Sequence, residues 1–113
     1  MDILVEKHAD IVMRVLSHYA QFKPAYGEVE IETVFDDKRH HYELVHVGWE
    51  DYHRIHGSVI HVDIKPDGKI WIQHDGTESG IADDLLAAGV SKNMIVLAFH
   101  SPGKRVHTEF AVA

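Results

Sequence analysis

Apolar side chains recur at helical spacing near the N-terminus and predict a helix over residues 2–22. The stripe consists of Leu4, His8, Ile11, Val12, Val15, Leu16 and Tyr19. Asp2 is a suitable N-cap, and Pro24 and Gly27 end the helix. Because a histidine on an apolar stripe is more often a structural residue than a ligand, we interpret His8 as a boundary residue with one hydrated nitrogen.

Strand periodicity follows in four segments, at residues 29–35, 41–49, 54–64 and 69–74. The first segment alternates glutamates with apolar or β-branched side chains, as expected for a sheet with one buried face. Gly48 indicates a bulge or a close approach of two backbones. The connections are short, and Pro66-Asp67-Gly68 is a strong turn signal. The four strands are therefore predicted to form an antiparallel meander.

Helical and strand signals alternate in the last third of the chain. A helix is predicted over residues 78–88, with Thr77 as N-cap and Gly89 as its C-terminal stop. Residues 91–94 suit a helical turn, and residues 95–99 form an apolar run short enough for a buried strand. Pro102-Gly103 ends that run. The apolar C-terminus is expected to pack inside the domain or in a subunit contact.

These elements predict one α+β domain over residues 1–113, with the N-terminal helix and the second helix packed on one face of the antiparallel meander. A hydrophobic fraction of 45% and a charged fraction of 26% are typical of a globular protein. The chain has no cysteine, which fits a reducing cytosol. We expect a cytoplasmic protein without a membrane contact, because no run approaches the roughly 20 apolar residues of a membrane helix.

The formal charge of −7 comes from 11 Lys and Arg against 18 Asp and Glu. This sign disfavours a strong non-specific grip on the phosphate backbone, so direct DNA contact is not expected. A DNA-binding surface would require folding to assemble a basic stripe, whose candidate members are Lys65, Lys69, Lys92, Lys104 and Arg105.

One pair of potential metal ligands lies on the third strand, where His61 and Asp63 share a face. With His74 or Asp75 from the next strand, they would offer nitrogen and oxygen ligands to zinc or a hard divalent ion. The alternative is a hydrated sheet face on which Asp63 pairs with a neighbouring base. We favour this second interpretation because no HExxH-type spacing is present. The sequence therefore predicts neither a metal nor a cofactor.

The segment Asp75-Gly76-Thr77-Glu78 joins a strand to a predicted helix N-terminus. Its free N–H groups would attract an anion, but Asp75 and Glu78 would repel phosphate, so a self-capped turn is favoured. The two carboxylates would suit general acid and base roles only beside a nucleophile or with a raised pKa, and neither is indicated. No catalytic residue is predicted.

The two tryptophans lie on the second and fourth predicted strands, and histidines are conspicuous around the second hairpin. Its histidines suit either a pH sensor or scattered surface positions, of which we favour the second; they are His40, His41, His46, His53 and His56. Trp49 and Trp71 would suit base stacking in a single-strand binder, but the same strands supply few basic residues. A core or interface role is therefore favoured for both.

Several motifs follow one another with short gaps along nearly the whole chain. They are residues 47–49 (VGW), 56–64 (HGSVIHVDI), 69–73 (KIWIQ), 75–82 (DGTESGIA), 97–100 (LAFH) and 108–113 (TEFAVA). Taken together they are specific, and through them the chain resembles the XisI family, the fdxN-element excision controlling factors of cyanobacteria. His74 stands where such proteins vary, and the histidines between residues 40 and 53 look peculiar to this chain.

The resemblance implies a small cytoplasmic α+β protein linked to site-specific excision of a DNA element, a DNA recombination event, during heterocyst differentiation. It also implies cooperation with a companion protein, XisH, which is itself similar to nucleases. It supplies no catalytic residues.

Charge and resemblance together predict a non-enzymatic controlling factor that acts through an XisH-like companion. A homodimer is also expected, and Trp49, Phe110 and Val112 are the candidate contacts for protein–protein interaction. Two alternatives remain open. One is a metal-assisted hydrolase or nuclease whose candidate residues are His61, Asp63, Asp75 and His100. The other is a direct DNA-binding regulator.

Overall fold

The computed structural model describes residues 3–22 and 27–113 and has the predicted α+β class. Its helices are α1 (Ile3–Tyr19), α2 (Ala82–Ala87) and α3 (Pro102–Arg105), with a 3₁₀ turn at Lys92–Met94. Its strands are β1 (Glu28–Asp36), β2 (His41–Glu50), β3 (His53–Ile64), β4 (Ile70–Asp75) and β5 (Ile95–Leu97). No helix in these described ranges is long and apolar enough to cross a membrane.

The five strands form one sheet in the order β1-β2-β3-β4-β5. The first four are antiparallel, which confirms the predicted meander. β5 pairs with β4 in parallel and makes the sheet mixed. The intervening α2 supplies the crossover that a parallel pair requires. Ala111 bridges Val96 in parallel, so the C-terminal segment lies against β5.

The hydrophobic core lies between α1, α2 and one face of the sheet. Its large members are Val5, Ile11, Val12, Leu16, Tyr42, Leu44, Ile60, Val62, Ile64, Ile70, Ile72, Ile81, Leu85 and Ile95. Burying each aliphatic side chain of this size contributes about 1.5–3 kcal/mol. The Tyr19 hydroxyl donates to Asp84 Oδ2 at 2.5 Å and so joins α1 to α2 beside this core. The apolar stripe of α1 and the apolar face of the sheet, both predicted from the sequence, therefore pack against each other in one core.

Tyr42 is the one aromatic residue at the centre of the described core, and its side chain is fully buried. Burial raises the pKa of its hydroxyl well above the ordinary value, and the hydrogen bond that the hydroxyl donates to Asp37 Oδ1 at 2.7 Å adds to the rise. The ring is thus held at the end of β2 where the chain turns from Asp36 to His41. The base of the second hairpin is consequently fixed against the core.

His8 is buried, with only 4% of its surface exposed, so the expectation of a boundary residue is wrong. Its Nδ1 lies 2.6 Å from the carbonyl oxygen of Gly68 in the β3–β4 turn. Gly68 has φ +89° and sits so close to Leu4 that a side chain there would collide with it. The turn therefore covers the imidazole and fastens the first half of α1 to the sheet.

The second helix begins later in the chain than predicted, because a loop follows β4. α2 begins at Ala82 instead of residue 78, and Thr77 is not its N-cap. The reason is that Asp75 binds the backbone of Thr77 and Ile81 and holds the intervening residues as a loop. Gly89 ends the helical region with φ +101°, as predicted.

Two further predictions concern the ends of elements. Pro102 does not merely stop the preceding strand; it opens α3 at a position where its missing N–H costs nothing. The predicted cap Asp2 and the predicted stop Pro24 lie outside the described residues.

Candidate functional site

The face of the sheet that points away from α1 carries a row of polar side chains. His41 is the register partner of Asp63, and Glu43 is the partner of His61. Directly opposite residues of an antiparallel pair share a face, so both pairs lie on the same side. Trp71 pairs with Asp63 from the other flank and belongs to this side too. The meander thus brings side chains from three strands together.

Three of these residues form a hydrogen-bonded group that we call the His–Asp cluster: His41, His61 and Asp63. His41 Nδ1 lies 2.6 Å and His61 Nε2 lies 2.9 Å from the same oxygen, Asp63 Oδ1. The other oxygen, Oδ2, accepts a hydrogen bond from Gln73 Nε2 at 3.2 Å. Each oxygen of this carboxylate is therefore held by at least one neighbouring side chain.

Asp63 is ionised in this setting. Burial alone would raise the pKa of the carboxyl, but the hydrogen bonds from His41 and His61 outweigh it, and the pKa lies below the ordinary value. The Asp63 side chain is 12% exposed, whereas those of His41 and His61 are 55% and 35% exposed. Two imidazoles that reach solvent therefore cover the largely buried negative charge of Asp63.

The sequence pattern suggested His74 or Asp75 as the third member beside His61 and Asp63, and the structure gives them a different one. His41 completes the cluster, although its position in the sequence gave no reason to choose it from the other histidines. His74 is the register partner of His61 but lies outside the cluster. Asp75 serves the loop that follows β4. The pairing of Asp63 with a neighbouring base is as the favoured interpretation expected.

Asp75 organises the β4–α2 loop through both of its carboxylate oxygens. Oδ1 accepts hydrogen bonds from the backbone N–H and the hydroxyl of Thr77, at 3.0 and 2.5 Å. Oδ2 accepts from the backbone N–H of Ile81 at 2.7 Å, and Thr77 Oγ1 accepts from Gly80 N at 3.1 Å. This is a self-capped turn. Glu78 lies in the same loop and is exposed.

Replacing Asp75 with alanine is expected to lower the free energy of unfolding by about 2 kcal/mol, because hydrogen bonds to a charged acceptor are lost and the N–H of buried Ile81 is left without its partner. Urea denaturation followed by circular dichroism measures the change. Glu78→Ala in the same loop is the matched control and should leave stability within about 0.5 kcal/mol of the wild type. Equal effects of the two substitutions would show that Asp75 does not hold the loop.

The outer halves of β2 and β3 form a hairpin that we call the arm, residues 45–58. No residue of the arm is buried, in contrast to Leu44 and Ile60 directly beyond its base. Trp49 is 50% exposed, and the Arg54 guanidinium lies 5.2 Å from the centre of its ring. Tyr52 at the tip is fully exposed. The arm therefore presents aromatic surface that the helices do not cover.

The other two candidate interface residues lie near the C-terminus. Phe110 is half-buried against the core, with Lys92 Nζ 5.8 Å from its ring centre. Val112 is 45% exposed. The Arg105 guanidinium donates to the carbonyl oxygens of Ala98 and Val112 and thereby holds this segment to the β5 region. The segment packs on its own sheet and leaves Val112 at the surface.

Most members of the candidate basic stripe have partners within the chain. Lys69 lies 3.7 Å from Asp67 and donates to the Ala113 carbonyl, while Lys92 pairs with Glu109 at 2.5 Å. The cationic groups of Lys65 and Arg105 lie 5.3 and 5.4 Å from the ring centre of Trp71. The carboxylates beside Lys69 and Lys92 oppose the charge that a phosphate backbone would need, whereas Lys65 and Arg105 keep their charge beside the Trp71 ring.

Comparison with known proteins gives a consistent set of matches. A family model described as XisI protein matches residues 1–112. The chain is similar to the solved structure of a XisI-like protein from Anabaena variabilis, at 38% identity and a TM-score of 0.88 over 96% of this chain and 99% of that one. It is also similar to the fdxN element excision controlling factor XisI from Anabaena variabilis, at 30% identity and a TM-score of 0.82 over 97% and 99%. No curated protein matches the chain significantly.

Proposed function

We propose that this chain, which belongs to the XisI family, is a non-enzymatic controlling factor for site-specific excision of a DNA element of the fdxN type. In this proposal it works in the cytoplasm of a cyanobacterial cell during heterocyst differentiation. It acts by binding a companion protein similar to XisH, which carries out the DNA chemistry. The description of the solved Anabaena relative as an excision controlling factor supports the regulatory part of the proposal.

The observation that carries the proposal is the uncovered arm. Its strands continue outward from the core, yet no residue between 45 and 58 is buried. Trp49, Tyr52 and Ile55 place aromatic and aliphatic groups on it, and aromatic residues are enriched among those that dominate binding energy. A sheet extension with partly exposed aromatic residues is suited to contact with another protein.

Charge supports the choice of partner. The net charge is −7, and two of the five cations that would have formed a basic stripe, Lys69 and Lys92, form ion pairs within the chain. Complementary potentials speed and orient association, so a protein with a basic nucleic-acid surface is a suitable companion for this one. The same charge disfavours the DNA backbone itself as the direct target.

The carboxylates considered as catalytic groups, Asp63 and Asp75, already accept hydrogen bonds from other groups of the chain. Both oxygens of Asp75 accept hydrogen bonds within the β4–α2 loop, and the His–Asp cluster does not include it. The arrangement therefore does not favour the set of His61, Asp63 and Asp75 as a catalytic unit, and it supports a binding role for the protein.

A complex with the XisH-like companion is expected to depend on Trp49. Truncating a central aromatic contact typically costs about 1–2 kcal/mol or more, so Trp49→Ala should weaken the complex roughly tenfold. Co-expression followed by gel filtration and calorimetric titration measures the affinity. Phe99→Ala is the matched control, because Phe99 is 47% exposed, close to the 50% of Trp49, and lies outside the arm.

The same preparations separate the alternatives. Independent migration of the two proteins at micromolar concentration would contradict the companion role. Tight binding of the isolated chain to duplex DNA at physiological salt, with a steep salt dependence, would favour the direct DNA-binding regulator instead. Light scattering of the isolated chain tests the proposed homodimer, and a strict monomer would contradict it.

A further inference from the structure

We propose that the His–Asp cluster is a binding site for a divalent first-row transition metal ion, of which Zn²⁺ is the reference case. The ligands are His41 Nδ1, His61 Nε2 and a carboxylate oxygen of Asp63. This site differs from the ligand set suggested by the sequence pattern, since it takes its second imidazole from β2 and contains neither His74 nor Asp75.

The separations of the donor atoms fit a common metal centre. All three lie within 4.8 Å of one another. Asp63 Oδ1 is 2.6 Å from His41 Nδ1 and 2.9 Å from His61 Nε2. Ligand atoms at about 2.0–2.2 Å from zinc are roughly 3.0–3.5 Å apart in octahedral or tetrahedral geometry. Small side-chain rotations are therefore enough to admit an ion between them.

The backbone holds the three ligands in place. His41 and Asp63 are register partners on adjacent strands, and His61 precedes Asp63 by two residues on the same face. The second carboxylate oxygen of Asp63 is held by Gln73 Nε2 at 3.2 Å. Hydrogen bonds of this kind orient a metal-binding carboxylate and raise the affinity of a site. The cluster thus has ligands at fixed strand positions and a residue that orients one of them.

The chemistry of the donors selects the class of ion. Two imidazoles and one carboxylate suit Zn²⁺, Ni²⁺, Co²⁺ or Fe²⁺, whereas Mg²⁺ and Ca²⁺ prefer sets of oxygen ligands. The largely buried negative charge of Asp63 requires a positive or hydrogen-bonding partner. Each imidazole meets this need by donating an N–H to the carboxylate. With the ion bound, each imidazole carries its proton on the other ring nitrogen, so the nitrogens that face Asp63 present lone pairs to the metal.

The solvent side of the cluster leaves room for a further ligand. The His41 and His61 side chains are 55% and 35% exposed, so an ion has an entry path. Three protein ligands leave at least one coordination position for water or for a group from a binding partner. An exposed site of three ligands predicts a dissociation constant in the micromolar range, weaker than that of a closed structural zinc site.

The test uses the full chain without a polyhistidine tag. Isothermal titration with ZnCl₂ is expected to show one site per chain, and Co²⁺ is expected to produce the visible absorption bands of a nitrogen- and oxygen-coordinated ion. His41→Ala should weaken Zn²⁺ binding by about tenfold or more, and Asp63→Asn should do the same. His41 is an exposed residue, so this variant should keep its fold, which circular dichroism verifies.

The chain has 11 histidines, and a matched control separates the cluster from their weak background binding. His56→Ala removes an exposed imidazole from the arm, and Zn²⁺ affinity should not change. An equal loss in His41→Ala and His56→Ala would overturn the proposal. So would unchanged affinity in His41→Ala, or the absence of a micromolar site in the wild type.

Discussion

Replacing Leu16 with alanine is expected to lower the free energy of unfolding by about 3–5 kcal/mol, the range for leucine-to-alanine substitutions in a packed core. Leu16 has no exposed surface and lies in the layer between α1 and the sheet. The substitution removes apolar contacts and leaves a cavity that rigid strands on one side cannot fill. Urea denaturation monitored by circular dichroism, with a constant slope against denaturant, measures the loss.

Ile3→Ala on the same helix is the control, because Ile3 is 81% exposed and its truncation should change stability by no more than about 0.5 kcal/mol. A typical domain is stable by only about 5–15 kcal/mol, so the Leu16 variant should unfold at a visibly lower urea concentration. If Leu16→Ala and Ile3→Ala unfolded together, α1 would not be packed on the sheet as described.

Replacing Gly48 with valine is expected to cost roughly 3 kcal/mol, because a side chain there has no space. A Cβ on Gly48 would lie 2.7 Å from the Cα atom of Val29 and would also collide with the backbone of Glu28. These atoms belong to the neighbouring strand and cannot move without separating β1 from β2. The sequence indicated a bulge or a close approach at Gly48, and the structure has the close approach.

Gly57→Ala offers a matched control within the same hairpin. Gly57 lies opposite His46 in β3, and a Cβ there would meet no atom within 4 Å. Alanine also reduces the conformational freedom of the unfolded chain, so this variant should be as stable as the wild type or more stable by about 0.4–1 kcal/mol. Equal destabilisation by both substitutions would contradict the close approach of β1 as the reason for glycine at Gly48.

Local patterns were sufficient to predict most of the fold. The i, i+3, i+4 spacing along α1 identified the buried Ile11, Val12 and Leu16, because a helix exposes one stripe to the sheet. In the predicted strand over residues 41–49, Tyr42 and Leu44 are two apart and therefore share a face, and both are buried. Both signals arise from residues close together in the chain, so no knowledge of distant contacts was needed.

Features that depend on hydrogen bonds between a side chain and the backbone were predicted poorly. His8 is buried because a turn sixty residues later in the chain covers its ring and accepts its hydrogen bond. The start of α2 was misplaced because the side chain of Asp75 captures the backbone of Ile81 and keeps the preceding residues out of the helix. In each case a polar side chain found a backbone partner that local periodicity does not reveal.

The His–Asp cluster also combines features that the sequence pattern predicted with one that it did not, the register of the second hairpin. Near the tip of the second hairpin Trp49 pairs with Arg54, and if that register continued unbroken His41 would lie opposite Val62. A β-bulge between Leu44 and Val45 shifts the pairing by one residue and places His41 opposite Asp63. A shift of one residue moves a side chain to the other face relative to its neighbours.

From its sequence alone, this chain was predicted to have an antiparallel meander, an amphipathic first helix and a polar strand face bearing His61 and Asp63. These follow from the period of the backbone and the hydrophobic effect, which act on neighbouring residues. Only the tertiary structure decided that His41 joins them, that Asp75 is held by its own loop and that the arm is left uncovered. The first outcome depends on strand register, the second on the backbone groups that a carboxylate reaches and the third on where the helices pack, and the hydrophobic pattern specifies none of these.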